Sequence, residues 1–218
     1  MSPRPQNGGT MNLAIIGAGN VGTALATGWS AAGHRITFGV RDPQAAPVGG
    51  ATKATFVGVA EATQTSEVLV LSVPWQAVPD ALASAGDLTG KILIDCTNPL
   101  QMGPNGLELA IGQTSSGAER VAELAPGASV FKTLNQTGFA NMEHAHEFTL
   151  PALMYVVGDD EMRRPLVMSL VADLGFHAID AGPLRIARLL EPMAMLWIHM
   201  ALNRGEPVTT AFALTRRP

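Results

Sequence analysis

The feature that most constrains this chain is a short apolar run, Asn12–Ile16, that ends directly in Gly17-Ala18-Gly19-Asn20-Val21-Gly22. The G-x-G-x-x-G pattern alone is common, but between a strand and a helix each glycine acquires a mechanical role. Gly17 permits the tight turn, Gly19 lets the backbone approach a ligand, and Gly22 lets the helix lie close on the sheet. Residues 21–32 read as a small-residue helix, stopped by Gly33 as a left-handed cap. The start of such a helix offers unpaired N–H groups and the positive end of a dipole, which suits a pyrophosphate. A dinucleotide is therefore expected at Gly17, Ala18, Gly19, Asn20, Val21 and Gly22.

The rest of the chain alternates apolar runs with helical patterns. Strands are expected at 35–40, 52–56, 68–73, 91–96, 129–134, 153–157 and 176–180, and helices at 76–85, 116–124, 161–174 and 184–203. Runs such as VLVLSV and KILIDC are apolar throughout, as in strands covered on both faces. The predicted fold is α/β, a Rossmann-type doubly wound, mostly parallel sheet of up to eight strands with helices on both faces. Residues 1–10, polar and rich in Pro and Gly, are expected to be a mobile tail. Residues 11–218 are expected to be one domain.

With 47% apolar residues the chain can build a core, and its net charge of −4 argues against nucleic acid or an anionic membrane surface as partner. The longest apolar stretch, 189–202, contains Glu191 and Pro192 and is too short to span a bilayer. A single cysteine, Cys96, excludes an internal disulfide framework and a cysteine-rich zinc site. No signal peptide opens the chain, so a cytoplasmic location is expected.

The choice between NAD and NADP turns on the end of the second strand, where Val40-Arg41-Asp42-Pro43 stands. An acidic residue there would bind the ribose hydroxyls of NAD, and an arginine the 2′-phosphate of NADP. Asp42 before Pro43 suits a helix N-cap, which leaves Arg41 for the phosphate. NADP is favoured.

Ordered blocks run along the chain: GAGNVG (17–22), GVRD (39–42), SVPW (72–75), NPL (98–100), FANM (139–142), VVGDDE (156–161) and DAGPLRIARLLEP (180–192). In these blocks the sequence resembles the NADP oxidoreductases that use the deazaflavin coenzyme F420. The resemblance runs from Met11 to about Met200 and implies a compact reductase without a large separate substrate domain. It implies direct hydride transfer between NADP(H) and a flavin-like ring, F420 or another flavin, with positioning rather than an acid or base as the catalytic device. By the same resemblance Ser72, Val73, Pro74, Thr97, Asn98 and Pro99 join Val40 and Arg41 in binding the dinucleotide. Trp75, Asn135, Gln136, Thr137, Gly182, Pro183, Leu184 and Trp197 would border the acceptor, the last four within a small C-terminal extension. The chain departs from the family at Val40, where a hydroxyl residue is usual, and at Gln44-Ala45-Ala46, where a phosphate-binding lysine is missing. The 135–137 loop also departs from the archaeal pattern.

Lys132 invites comparison with the catalytic lysine of hydroxyacid dehydrogenases, but too little chain follows residue 180 for their helical second domain. His144 and His146, two apart, do not share a helical face, and a solvated turn is expected there rather than a metal site. Trp197, with Met193, Met195 and Met200, forms either a plain packing face or an apolar wall against a planar acceptor. Cys96 is expected to pack as a small apolar residue, and the apolar closing helix suggests a homodimer. Two other activities stay open: an NADPH-dependent reductase of a free flavin, quinone or carbonyl compound, and a non-catalytic NADP(H)-binding redox sensor.

Overall fold

The computed structural model describes residues 9–45 and 54–217. Most of the expected tail, 1–8, and the start of the expected third strand, Thr52 and Lys53, lie outside the described residues. The chain opens with β1 (Asn12–Ile16), α1 (Asn20–Ala31), β2 (Arg35–Val40), β3 (Thr55–Gly58), α2 (Val59–Thr65), β4 (Val68–Leu71), α3 (Val78–Ala85) and β5 (Ile92–Asp95). A hairpin of β6 (Leu100–Gly103) and β7 (Gly106–Leu109) follows, then α4 (Gly117–Leu124) and β8 (Ser129–Lys132). The last part holds α5 (Phe139–Glu143), β9 (Leu153–Gly158), α6 (Arg164–Asp173), β10 (His177–Asp180) and α7 (Ala187–Asn203).

Among the described residues the main sheet has eight strands in the order β10-β9-β8-β5-β4-β1-β2-β3. The order reverses between β1 and β4, which opens the crevice typical of doubly wound sheets. Both faces are apolar. Leu13 and Ile15, Val68 and Val70, and Ile92 and Ile94 pack with Leu25 and Trp29 of α1 and Val167 and Leu170 of α6. The alternate residues Ala14, Ile16, Leu69, Leu71 and Leu93 pack with α2, α3, α4 and α7. The period of two with apolar residues on both sides produces the continuous runs read in the sequence. Gly33, at φ 96, ends α1: its N–H bonds Ser30 O and that of His34 bonds Trp29 O, a Schellman arrangement.

Two features depart from expectation. β9 pairs antiparallel with β8, through Phe131↔Gly158 and Lys132↔Val157, and β10 follows β9 in parallel. The last two strands therefore run against the other six. Second, the β6–β7 hairpin and helices α2 and α5, absent from the expected elements, fill the connections after β5, β3 and β8. Beyond α7 the chain folds back: Leu153 N–H donates to Phe212 O, and Ala152 bridges Ala213. On α7, the apolar closing helix behind the expected homodimer, Leu189, Leu196 and Leu202 are exposed. No helix among the described residues is long and apolar enough to cross a membrane.

Candidate functional site

The turn after β1 is built by packing on one side and left open on the other. Gly17 has φ 105 and lies so near β4 that a Cβ would stand 2.9 Å from Ser72 O and from Val73 Cγ1. The Ser72 hydroxyl donates to Gly17 O (3.0 Å) and Ile16 O (3.2 Å), and Gly17 N–H donates to Gly39 O. A Cβ on Gly22 would collide with Gly17 O and Ser72 Oγ. Gly19 differs. Its φ of −80 suits any residue, and a Cβ there would meet nothing within 4 Å. Nothing inside the protein requires glycine at 19.

Gly19 is the N-cap of α1, and no side chain caps the helix and no acidic residue stands in its first turn. The first N–H groups of a twelve-residue helix thus face an open edge, which is the geometry of an anion site. Gly19 and Asn20 are exposed, and Ala18 and Val21 half-buried. Next along the rim, Val40 is half-buried and Arg41 exposed. Asp42 Oδ1 accepts from Gln44 N–H (3.0 Å) and opens a 3-10 turn at Pro43–Ala45. Asp42 therefore has the structural role that the sequence assigned to it. Beyond β4, Ser72 and Val73 are half-buried, Pro74 is exposed, and Trp75 packs its ring beside the second core.

The loops after β5 and β8 form a ledge beside this turn. Asn98 Nδ2 donates to Asn135 O and Asn135 Nδ2 donates to Asn98 Oδ1, each at 3.0 Å. Gln136 behaves like an added strand residue: Nε2 donates to Tyr155 O (3.0 Å) and Oε1 accepts from Tyr155 N–H (2.9 Å). Thr137 Oγ1 accepts from Asn141 Nδ2 (2.8 Å). Leu134, just before this loop, holds φ 58, a left-handed conformation that a leucine adopts only when its surroundings enforce it. Trp197 rises from α7 onto the same rim, where its ring lies against Gly138 and its N–H donates to Thr210 O (2.8 Å).

Beneath the ledge three ionisable side chains are buried together. Lys132 Nζ donates to Asp95 Oδ2 (2.9 Å) and Thr97 O (2.5 Å) and pairs with Glu191 Oε1 (3.1 Å). Asp95 Oδ1 accepts from Thr97 N–H (2.9 Å) and Thr97 Oγ1 (2.7 Å). Glu191 also accepts from the N–H groups of Gly117 (2.8 Å) and Ala118 (3.0 Å), capping α4 from another helix. Desolvation acts most strongly on Lys132 and lowers its pKa. The charges and hydrogen bonds of Asp95 and Glu191 together outweigh it, and the ammonium is held above its ordinary value. With its donors engaged and no exposure, Lys132 is not placed as an acid for a substrate. Burial, and then the Asp95 charge, push the Cys96 thiol far up, so that it packs as a small apolar residue.

Three expectations are corrected. Gly182, Pro183 and Leu184 follow β10, whose direction is reversed, so they emerge at the opposite rim; there Gly158 N–H donates to Gly182 O and Leu184 N–H to Asp159 Oδ1. They do not join the ledge. Thr97, Asn135 and Gln136, at most 4% exposed, commit their side chains to the protein and build the ledge without offering themselves to a ligand. Pro99 is likewise buried, against Gly117, and of that loop Asn98 alone is half-exposed. The buried cluster of Asp95, Lys132 and Glu191 was missed as a unit; its signal was three ionisable residues inside otherwise apolar runs. His144 lies on an exposed turn with Glu147 (2.8 Å). A depression lined by Thr27, His34, Arg35 and Thr55 lies at the N-terminal ends of β1 and β2, away from the glycine turn.

Residues 12–99 match the family model described as NADP oxidoreductase, coenzyme F420-dependent. The chain is 27% identical over 214 residues to the F420-dependent NADP reductase of Methanothermobacter marburgensis, covering 88% of this chain and 93% of that protein. It is 26% identical over 184 residues to the metalloreductase STEAP3 of Rattus norvegicus, covering 84% of this chain but only 36% of that longer protein. Among solved structures, a candidate F420-dependent NADP reductase from Arthrobacter sp. FB24 superposes with a TM-score of 0.84 and 27% identity, over 94% of this chain and all of that one.

Proposed function

We propose that this NADP-linked oxidoreductase is a member of the NADP oxidoreductase, coenzyme F420-dependent, family, whose model it matches over residues 12–99, and that it passes a hydride between NADP(H) and a flavin-like acceptor such as F420. The observation that carries the reading is Gly19, a glycine with no internal need to be one, at the uncapped start of α1. The N–H groups of α1 bind the pyrophosphate, and Arg41, exposed beyond β2, pairs with the 2′-phosphate. Bound NADPH supplies the hydride. The protein's own work is to bind, orient and exclude water. Val73, Pro74 and Asn98 flank the nicotinamide, and Trp75, Thr137 and Trp197 border the acceptor, with the Trp197 ring as an apolar wall. Among the described residues no side chain on this rim is arranged as a general acid or base, and hydride transfer needs none.

Purified protein with NADPH and, separately, F420, FMN and FAD tests this reading spectrophotometrically. Oxidation of NADPH with F420, faster than with either common flavin, is expected. Tight NADPH binding without turnover of any acceptor would remove the hydride-transfer reading.

A further inference from the structure

The cluster beneath the ledge has no part in the transfer just described, yet Lys132 and Asp95 are 0% and Glu191 1% exposed. Burying charges is costly, and replacing such a cluster by apolar side chains is often neutral or stabilising, so stability alone does not account for it. Its contacts lead to the rim. Thr97 is gripped at three points: its N–H and hydroxyl by Asp95 and its carbonyl by Lys132. The next residue, Asn98, trades amide hydrogen bonds with Asn135. On the other strand only Thr133 and the left-handed Leu134 separate Lys132 from Asn135. Glu191 fixes the third side, holding the start of α4, where Gly117 lies against Pro99.

We propose that Lys132, Asp95 and Glu191 are positioning residues that hold the loops Thr97–Pro99 and 135–137 at a fixed separation. Dinucleotide and acceptor then meet at hydride-transfer distance. The first statement stands on the geometry, while the second rests on the function proposed above. Transfer between two bound rings depends steeply on their approach, so a small loosening of the ledge lowers turnover more than binding. The groups around the Lys132 ammonium are Asp95 of β5, the Cys96 thiol and the Thr97 carbonyl just beyond that strand, and Glu191 of α7, which also accepts from the first amides of α4. The single cation is thus shared by two carboxylates, one of them also held by a helix end.

The test compares wild type with Lys132→Met and with the neutral triple variant Asp95→Asn/Lys132→Met/Glu191→Gln, using Glu191→Gln as a milder second probe. Lys132→Met leaves two uncompensated carboxylates and unfolds at a lower temperature; the triple variant recovers most of that loss. In the folded triple variant, amide hydrogen exchange at Thr97, Asn98 and Asn135 is expected to quicken at least about tenfold, with α1 unchanged. NADPH affinity stays within about twofold, and kcat falls about tenfold or more with little change in KM. Wild-type exchange at these loops in both the triple variant and Glu191→Gln, or a kcat that returns together with thermal stability, would overturn the proposal. Faster exchange with no turnover by the wild type would uphold the loop clamp and sink the hydride-transfer reading instead.

Discussion

At Gly22 an added methyl group would strike the carbonyl of Gly17; at Gly19 it would meet only open space. The first glycine serves helix–sheet packing; the second has no such role inside the chain, which is why the proposed function places the pyrophosphate there. Arg41 belongs with Gly19, since it is exposed at the end of β2, while its neighbour Asp42 closes a turn onto Gln44. The departures at Val40 and Gln44 leave Arg41 to act with less help than in the resembling family. Charge-assisted hydrogen bonds to a phosphate are worth about 1.5–3 kcal/mol, so Arg41→Ala should weaken NADPH binding roughly 10- to 100-fold. NADH binding should change by less than about twofold, because NADH lacks the 2′-phosphate assigned to Arg41 in the proposed function. Fluorescence titration of both nucleotides decides this, and equal losses would remove the 2′-phosphate assignment.

The elements were legible where burial dictates sequence. β1, β4 and β5 are nearly unbroken apolar runs because helices cover both faces, and their positions, like those of the more mixed β2 and β8, could be read within a residue or two. The glycine turn was legible for the same reason, as each of its constraints falls on one named residue. Strand direction was not. Nothing in Leu153–Gly158 or His177–Asp180 distinguishes a parallel from an antiparallel neighbour, and the reversal moved Gly182, Pro183 and Leu184 to the far rim. The β6–β7 hairpin was hidden because its two strands are only four residues long and none of their residues is buried, so the brief alternation of Leu100 and Met102, and of Leu107 and Leu109, does not stand out. The loops Thr97–Pro99 and 135–137 do come together through Asn98 and Asn135, but their chemistry was misjudged. Asn135 and Gln136 look like ligand-binding amides in a sequence, and only their partners Asn98 and Tyr155, 37 and 19 positions away, reveal that they are spent on the fold.

Across the whole molecule, the shifted ionisable groups set a wide plateau of stability. Glu119 is held below its ordinary value of 4.5, chiefly by the hydrogen bond from Arg188 and further by Ser116, against a smaller opposing effect of burial. Asp160 lies below 3.8, chiefly through Ser129. Such carboxylates add stability above their unfolded values and lose it as pH falls through the folded ones. Lys132, raised above 10.5, contributes fully below that value and loses its contribution only as pH rises through its folded value. Thermal unfolding scans should therefore give a nearly constant midpoint between about pH 5 and 10, with losses outside that window. A midpoint falling steadily between about pH 6 and 9 would contradict this account of the buried cluster.

The central claim is that the turn from Gly17 to Gly22 holds NADP(H), and calorimetric titration of NADPH into wild type and Gly19→Val tests it most directly. The account predicts saturable one-site binding to the wild type. In Gly19→Val it predicts at least about a hundredfold loss with the fold retained, because the added side chain occupies the phosphate position while its Cβ meets no protein atom within 4 Å. Equal binding by the two proteins would contradict it and place the ligand elsewhere.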